Sequence, residues 1–456
     1  MSSLLGQQLM ASGKINELVE SLVGEVQRLS ESVKTVRGPQ PEFESNLAKQ
    51  VERTNQLRGR PLFYNYIGSG VGRGPYVELE DGSVKLDLIN GIGINILGHS
   101  HPRMMKAAIK GALSDVVVQG NLQPNTEYMK LAHKLVELAS KNSRLRHVWL
   151  STCGTIANEN ALKICRQKKT PARMIMTFSD AFAGRSTMMA EITDNPAFKQ
   201  GLPEYNEVLR LPFYDKNDKD KTLNKMKEYV AKHEGNICCF MFEPMLGEGG
   251  YRTANREFFL PLMQLCKEKK IPVWADEIQT FSRTGNFFAF ETYGFGEYVD
   301  VCTIAKTAQN GATFYTEEYN PQPGLIAGTF AGSTAALSAG TAVLEELDSG
   351  GYMGPSGKIE KIHKEFVAML NRLNETTCKG LLQDAGGVGL LVAVTALDGS
   401  QAKQQQLLKA LFKNGLMSFG CGRNPWRIRF LIPAIIQSAD IALAGQIIEK
   451  SILECT

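Results

Sequence analysis

Between residues 145 and 310, short apolar runs alternate with stretches of helical periodicity, and this alternation is the feature that most limits the possible folds. Strands that alternate with helices along a chain form βαβ units and a mostly parallel sheet, and right-handed crossovers place helices on both faces of that sheet. The sequence therefore predicts an α/β fold. The apolar runs are HVWLST, RMIMTF, NICCFMFEP, IPVWADE and DVCTIAK.

The regions that flank this alternation have patterns of their own. Residues 60–95 alternate as antiparallel strands, and the sequence after "SGGYMGPSG" predicts a second α/β unit with a helix over 358–375, strands near 388–395 and 427–432, and a final helix from about 438. We predict an N-terminal helical extension, a large ligand-binding domain and a smaller discontinuous α/β domain. The extension covers residues 1–50, the large domain 99–348, and the smaller domain 51–98 together with 349–456.

The first 36 residues show a heptad pattern that ends at the helix-breaking sequence RGPQP. Such a seam predicts an amphipathic helix that buries one apolar stripe. The stripe either docks on its own subunit or pairs with a second subunit, and the sequence leaves both interpretations open. Its members are Ile15, Val19, Leu22, Val26, Leu29 and Val33.

The composition excludes several classes of function. A net charge of +4 over 456 residues predicts no nucleic-acid or membrane partner, and no apolar run is long enough for a membrane span. The nine scattered cysteines show no CxxC pair, which predicts reduced thiols and a cytoplasmic protein. His99 and His101 form an isolated HxH with no Cys or His cluster to complete it, so we predict no metal site.

Polar and charged residues follow almost every predicted strand of the parallel region. In open parallel sheets, ligands bind beyond the carboxyl ends of the strands, so these residues should share one rim. Each has a simpler explanation as well: Asp276 and Glu277 could cap the next helix, and Lys306 could be a solvated strand-end lysine. The rim residues are Cys153, Gly154 and Thr155, the run Asp180–Arg185, Glu243, Glu248, Asp276 and Lys306.

Together these residues predict a site for a phosphate-bearing, electrophilic cofactor. Backbone N–H groups at Gly154 and Thr155, at the start of a helix, are suited to a phosphate group. Lys306, desolvated beside a cofactor, can form a Schiff base. A buried aspartate such as Asp276 keeps a pyridine nitrogen protonated, so pyridoxal 5'-phosphate satisfies all three features.

From about residue 60 to 440 the chain resembles the class III pyridoxal-phosphate-dependent aminotransferases, the group that includes ornithine, acetylornithine and 4-aminobutyrate aminotransferases. The motifs that carry the resemblance are LDLINGIGINILGHSHPRMMKA, FEPMLGEGG and, most specifically, ADEIQTFSRTGNFFAFETYGF followed by DVCTIAK. Asp276 and Lys306 lie 306 − 276 = 30 positions apart, close to the family spacing. The resemblance implies the fold type I architecture and a homodimer with a shared active site.

The resemblance also implies roles for individual residues. For the cofactor, it assigns the pyridine nitrogen to Asp276, the ring hydroxyl to Gln279, ring stacking to Phe182, and the phosphate to Gly154, Thr155 and, from the neighbouring subunit, Thr329. Lys306 would hold the cofactor and then act as the general base.

For the substrate, the resemblance assigns the α-carboxylate to Arg429 and a distal carboxylate to Arg185. Glu248 would pair with Arg429 when that arginine is not needed, and Glu243 would lie near the reacting centre. The expected activity is transfer of an amino group from an amino acid or ω-amino donor to a 2-oxo acid, with 2-oxoglutarate as the expected acceptor.

The chain also departs from the family pattern. The usual Ser-Gly-Thr-Glu is Cys153-Gly154-Thr155-Ile156, the residue after the stacking aromatic is Ala183, and the run after Lys306 lacks the usual glycines and proline. These departures indicate a divergent member. They leave open an aminomutase, racemase or decarboxylase of the same fold, and a non-catalytic copy kept for assembly.

Overall fold

The computed structural model describes residues 4–115 and 122–456. The chain divides into two compact units. One is formed by the sequence up to Lys110 together with Lys358–Thr456, and the other is the continuous segment Gly111–Gly357. The domain boundaries after residues 50, 98 and 348 stay a prediction.

The strands and helices follow one another in the order that the sequence patterns indicate. The strands are β1 (Gly68–Arg73), β2 (Tyr76–Leu79), β3 (Val84–Asp87), β4 (His147–Ser151), β5 (Met174–Phe178), β6 (Val208–Leu211), β7 (Ile237–Phe242), β8 (Val273–Asp276), β9 (Val301–Ile304), β10 (Gly311–Tyr315), β11 (Leu382–Val388), β12 (Leu391–Ala396), β13 (Leu416–Met417), β14 (Phe419–Cys421) and β15 (Arg427–Leu431). The α-helices are α1 (Leu5–Ala11), α2 (Gly13–Leu29), α3 (Pro41–Arg58), α4 (Asn90–Gly93), α5 (Pro102–Ala112), α6 (Thr126–Ser140), α7 (Gly154–Lys169), α8 (Thr187–Ile192), α9 (Lys221–Lys232), α10 (Arg256–Glu268), α11 (Ala289–Tyr293), α12 (Thr334–Ser349), α13 (Lys358–Glu375), α14 (Gln401–Asn414) and α15 (Ser438–Leu453).

The Gly111–Gly357 unit is built on a seven-stranded sheet with the order β4-β10-β9-β8-β7-β5-β6. The pairs β9–β8, β8–β7, β7–β5 and β5–β6 are parallel, whereas β10 runs antiparallel to both β4 and β9. The predicted α/β fold with a mostly parallel sheet is confirmed.

The central strands of this sheet are mostly apolar because neither face is exposed to solvent. Every residue of β7, β8 and β9 is buried, which is the pattern of a sheet covered on both sides. Helix α7 packs into the same core with Ala161, Leu162, Ile164 and Cys165. The sheet is therefore a rigid base whose strand ends present their last residues at one edge.

The second unit contains two smaller sheets, with the orders β1-β2-β3-β13 and β11-β12-β15-β14. The antiparallel pairing of β1, β2 and β3 confirms the pattern predicted for residues 60–95. The predicted helix over 358–375 is α13, and the predicted final helix is α15.

The N-terminal helix α2 docks on its own unit. Val19, Val23 and Val33 are buried, and Gln27 Nε2 donates a hydrogen bond of 2.9 Å to the carbonyl of Ser100. On the other side of the helix, apolar side chains are exposed. These are Leu18 at 54%, Leu22 at 57% and Leu29 at 61% exposure. The heptad seam is thus divided between a buried and an exposed stripe, and pairing between subunits stays a hypothesis for the exposed one.

Within the described part of the chain, none of the helices combines the length and the apolar character that crossing a membrane would require.

Candidate active site

Asp276 is the last residue of β8 and is 4% exposed. Its carboxylate accepts two hydrogen bonds. The backbone N–H of Ile278 donates to Oδ1 at 3.0 Å, and the side-chain amide of Asn158 donates to Oδ2 at 2.8 Å. These donors fix the plane of the carboxylate and leave each oxygen with a further lone pair for a ligand.

Opposing influences set the charge on Asp276. Burial raises the pKa of its carboxyl group to about 6, whereas the Ile278 N–H, the Asn158 amide and the charge of Lys306 all lower that pKa. The carboxylate is therefore ionised at neutral pH in a site with little water. Such a group is suited to hold a proton on a ligand nitrogen.

Lys306 follows β9, the parallel neighbour of β8, and begins a short 3₁₀ turn over Lys306–Ala308. Its backbone φ of 55° lies in the left-handed region, which a lysine rarely adopts. The side chain is partly buried and acts electrostatically on Asp276. The structure thus brings together the lysine and the aspartate that the sequence predicted as partners.

Gly154 and Thr155 form the first turn of α7, directly after β4. The N-cap residue Cys153 makes no side-chain capping bond, so the N–H groups of this turn are not occupied by a capping side chain. Space around the turn is tight. A Cβ on Gly154 would lie 2.7 Å from Ile278 Cδ1, and one on Gly184 would lie 2.6 Å from Thr155 Oγ1. The first turn of this 16-residue helix could bind a phosphate group through its backbone N–H groups.

The segment from Phe182 to Gly184 is held by buried side chains. Glu243 Oε1 accepts the N–H of Phe182 at 2.9 Å, and Thr193 Oγ1 accepts the N–H of Ala183 at 2.9 Å. The carbonyl of Ala183 accepts the Asn158 amide at 2.7 Å. The phenyl ring of Phe182 is therefore carried on a backbone whose position is closely determined.

Two glutamates and a glutamine lie beside this segment. Glu243 is 5% exposed and accepts the N–H of Gly247 through Oε2 at 3.0 Å. Burial, with a further contribution from the charge of Asp276, raises the pKa of Glu243 to about 8. Gln279 Nε2 donates to Glu248 Oε1 at 3.4 Å, while the buried Gln279 Oε1 makes no hydrogen bond within the described residues. That oxygen is an acceptor suited to a hydroxyl of a ligand.

The remaining predicted residues occupy three different environments. Arg185 is exposed, and its guanidinium lies 3.4 Å above the ring of Phe198, which meets Phe182 edge-on at 6.2 Å. Thr329 is exposed in the irregular stretch before α12. Arg429 belongs to the other unit, where it is 2% exposed in β15 and lies 5.9 Å from the ring of Phe419.

The sequence reasoning missed Asn158, which contacts both Asp276 and the segment that carries Phe182. The available signal was its spacing: Asn158 lies four residues after Gly154 and therefore on the same face of the helix. For Glu277 the simpler explanation was correct. Its carboxylate accepts the N–H groups of Ala289 and Phe290, at the start of α11, and the hydroxyl of Thr280.

Within the described residues, no group of three or more His, Cys, Asp or Glu side chains has an arrangement that could hold a metal ion.

Comparison with known families gives one extended match. The family described as Aminotransferase class-III matches residues 66–452.

Several named relatives align along most of their length. An acetylornithine aminotransferase of Aquifex aeolicus is 29% identical over 390 residues, which cover 83% of this chain and 95% of the relative. One of Methanocaldococcus jannaschii is 30% identical, over 81% of this chain and 89% of the relative. A probable 4-aminobutyrate aminotransferase of Bacillus subtilis is 27% identical, over 84% of this chain and 92% of the relative.

Solved structures show the same fold. The lysine aminotransferase from M. tuberculosis, in a form described as the internal aldimine, superposes with a TM-score of 0.79. It is 19% identical, and the match covers 89% of this chain and all of that one. The ornithine aminotransferase from Toxoplasma gondii has a TM-score of 0.78 and 20% identity, with 89% of this chain and 95% of that one covered.

Proposed function

This chain belongs to the class III aminotransferases and is a pyridoxal-phosphate-dependent enzyme, and we propose that its active site lies at the strand ends around Asp276 and Lys306. The family match confirms the resemblance that the sequence motifs indicated. The reaction that we propose moves an amino group from an amino acid or an ω-amino donor to 2-oxoglutarate.

One observation carries the placement of the site. Asp276 is buried, is held by two hydrogen-bond donors and lies at the end of the strand next to the one that Lys306 follows. An unpaired carboxylate in such a place is costly, so a cationic partner is expected. A protonated pyridine nitrogen supplies that charge, and the lysine beside it is the group that reacts with an aldehyde.

The other residues of the rim fit the cofactor as well. The uncapped first turn of α7, with Gly154 and Thr155, offers N–H groups to the phosphate. The buried oxygen of Gln279, which makes no hydrogen bond within the described protein, suits the ring hydroxyl. Phe182 would stack on the ring, and Thr329 of one subunit would reach the phosphate bound by the other, so we propose a homodimer.

When bound, pyridoxal phosphate supplies the electron sink that makes the substrate Cα–H bond acidic. The chain supplies the rest. Lys306 Nζ would take the proton from the substrate Cα as a general base and then donate it, as a general acid, to the former aldehyde carbon of the cofactor. Asp276 would hold the proton on the ring nitrogen, and the burial of its side chain, which is 4% exposed, keeps water away from the carboxylate.

The arginines determine which substrates fit in our proposal. Arg429 binds the α-carboxylate through two parallel charge-assisted hydrogen bonds, and Arg185 binds the distal carboxylate of 2-oxoglutarate. For a donor that reacts at its terminal amine, Glu248 would neutralise Arg429. Glu243 supports the site by holding the backbone of Phe182 and Gly247.

We infer that the protein works in a reducing compartment such as the cytoplasm. All nine cysteines are free thiols, and eight of them are buried, although Cys238 Sγ and Cys239 Sγ lie 3.9 Å apart. Thiols retained in this way are typical of reducing surroundings.

The placement of the site is tested by borohydride reduction of the purified enzyme, followed by peptide mapping. We expect a yellow protein in which reduction fixes one pyridoxyl group on the peptide that contains Lys306. Lys306→Ala should lose the label, and Lys270→Ala, which removes a lysine from the turn before β8, should keep it. A label on another lysine of the parent enzyme would contradict the placement.

A further inference from the structure

Asn158 is 0% exposed and lies in the second turn of α7, where its side-chain amide points into the core of the site. One amide N–H donates to the carbonyl of Ala183 at 2.7 Å, and the other donates to Asp276 Oδ2 at 2.8 Å. Its amide oxygen makes no hydrogen bond within the described protein. The residue therefore acts as a double donor.

The orientation of this amide follows from its neighbours. Both contacted atoms, a backbone carbonyl oxygen and a carboxylate oxygen, can only accept at neutral pH. Rotating the amide by 180° would place its oxygen against one or both of them and lose the two bonds. The NH₂ group therefore faces Asp276 and Ala183.

These two bonds connect three elements that each carry a proposed contact with the cofactor. Helix α7 begins with the phosphate turn at Gly154, β8 ends at Asp276, and the segment through Ala183 carries Phe182. None of the other hydrogen bonds of Asp276 reaches the Phe182 segment, because Ile278 belongs to the loop that follows β8. Within the described residues, Asn158 is the side chain that hydrogen-bonds both to Asp276 and to the segment that carries Phe182.

We propose that Asn158 is a positioning residue for the cofactor. Its amide keeps the Asp276 carboxylate ionised and oriented toward the pyridine nitrogen, and it connects this carboxylate by hydrogen bonds to the segment whose Phe182 stacks on the ring. This inference rests on the proposed function, since it assumes that the cofactor ring lies between Asp276 and Phe182.

The electrostatic part of the role depends on every charged group that faces Asp276. Lys306, after β9, lowers the pKa of Asp276, as do the Asn158 and Ile278 donors. Glu243, at the end of β7, and the thiol of Cys302 on β9 also interact with Asp276. Burial and the charge of Asp276 raise the pKa of Glu243 to about 8, so Glu243 is protonated below that pH, and what the donors oppose at Asp276 is the burial that raises its pKa. Loss of the Asn158 donor should therefore raise the pKa of Asp276.

The test is the affinity of the apoenzyme for pyridoxal 5'-phosphate between pH 6 and pH 9, measured by titration of the cofactor absorbance. Asn158→Leu removes both donors. A hydrogen bond to a charged group contributes enough for roughly a tenfold loss of affinity near pH 6.5. The loss should shrink toward pH 9, as Asp276 ionises without help.

Thr313→Val is the matched control. Thr313 is fully buried and donates to the carbonyl of Ala157 on the same helix at 2.9 Å, with no bond to Asp276. Its loss removes one buried hydrogen bond from α7 and should change the affinity by less than about threefold at every pH. If Asn158→Leu does not fold, Asn158→Ser, which keeps a single small donor, should show a smaller shift of the same kind.

Equal affinity in the Asn158 variant and the parent, or a loss of the same size at all pH values, would overturn the inference. A uniform loss is what a purely structural residue would give. If the parent apoenzyme itself fails to bind the cofactor, the proposed site is wrong and this inference falls with it. Binding by the parent and by Thr313→Val separates the two failures.

Discussion

Two regions of this molecule reverse the usual rule of burial, and they do so in opposite directions. At the ends of β7 and β8, the carboxyl groups of Glu243, Asp276 and Glu277 are 5%, 4% and 0% exposed. On α2, by contrast, Leu22 and Leu29 are 57% and 61% exposed. Buried carboxyl groups and exposed leucines in a row are both uncommon, so each needs an explanation.

The difference lies in what surrounds the misplaced groups. Every buried carboxylate at the strand ends accepts at least two hydrogen bonds from fixed donors, so its position is determined within the protein. The exposed leucines keep more than half of their surface open to solvent. A buried carboxyl group that is hydrogen-bonded by its own chain indicates a catalytic or structural role at that position. An exposed apolar stripe indicates at most a contact with another molecule.

The largest effect on function is expected from Asp276→Asn, which tests whether the buried carboxyl group of Asp276 has a catalytic role. The amide cannot stabilise a protonated ring nitrogen, so turnover should fall by at least about a hundredfold, the lower end of the contribution of a positioned proton-transfer group. Steady-state kinetics measure the effect, and cofactor absorbance shows whether the ligand is still bound. Glu277→Gln, one residue away, is the matched control. At temperatures below its own melting temperature, this variant should keep the turnover of the parent enzyme.

Turnover of Asp276→Asn close to that of the parent enzyme would contradict the role.

Glu277→Gln sharpens the contrast between chemistry and architecture among the buried carboxyl groups. Its amide cannot accept all of the bonds from Thr280, Ala289 and Phe290, so unfolding should cost about 1–3 kcal/mol less. Urea unfolding of the apoenzyme measures this.

The pH dependence has a definite sign. Burial raises the pKa of Glu277 to about 7 in the folded protein, above its value of about 4.3 in an unfolded chain. Its contribution to stability is thus complete below about pH 4.3 and is lost as pH rises through 7, at up to about 1.4 kcal/mol per pH unit. Glu277→Gln should flatten this decline. An unchanged slope between pH 5 and pH 7 would count against the buried, titrating carboxyl.

Arg429→Ala tests whether a buried arginine in the second unit belongs with the functional charges. Charged hydrogen bonds contribute about 1.5–3 kcal/mol each, so use of 2-oxoglutarate should weaken at least roughly tenfold. The two half-reactions are measured separately. An equal loss with glutamate and with an ω-amino donor that has no α-carboxylate would favour a purely structural role for Arg429.

The smallest effect is expected from the N-terminal helices. Deletion of residues 1–36 should leave a dimer with turnover within about twofold of the full chain, because this segment contains none of the residues proposed for the active site. Size-exclusion chromatography with light scattering measures the assembly. Loss of an assembly larger than a dimer would show that the exposed leucines pair between subunits.

The sequence predicted the large sheet well because its signals are local. The apolar runs of β7, β8 and β9 indicate buried strands. A residue that ends a buried strand must lie at the rim of the sheet. Asp276 and Lys306 could therefore be placed on one rim from their positions at strand ends, and the family resemblance then assigned their roles.

The contacts of Asn158 and Glu277 could not be found in this way, because they depend on which donors meet which oxygens. Asn158 reaches Asp276 across 118 positions of sequence, and Glu277 reaches the start of α11 only after the chain has turned back. Periodicity reports the face on which a residue lies. It does not report its hydrogen-bond partner.

The position of the antiparallel strand β10 has a consequence for how this protein folds during synthesis. It lies between β4 and β9, and Gly311 pairs with Ser151. The approach is so close that a Cβ on Gly311 would lie 2.5 Å from the carbonyl oxygen of Cys153. The proposed phosphate turn after β4 and the lysine after β9 are therefore joined by a strand that is synthesised later than both.

At about 5–20 residues per second, a ribosome needs on the order of ten to thirty seconds between β4 and β10. Throughout that interval β4 has no neighbour in the large sheet, and its open edge can pair with other chains. The strand that completes the proposed catalytic rim is therefore also the strand that covers one of the two edges of β4.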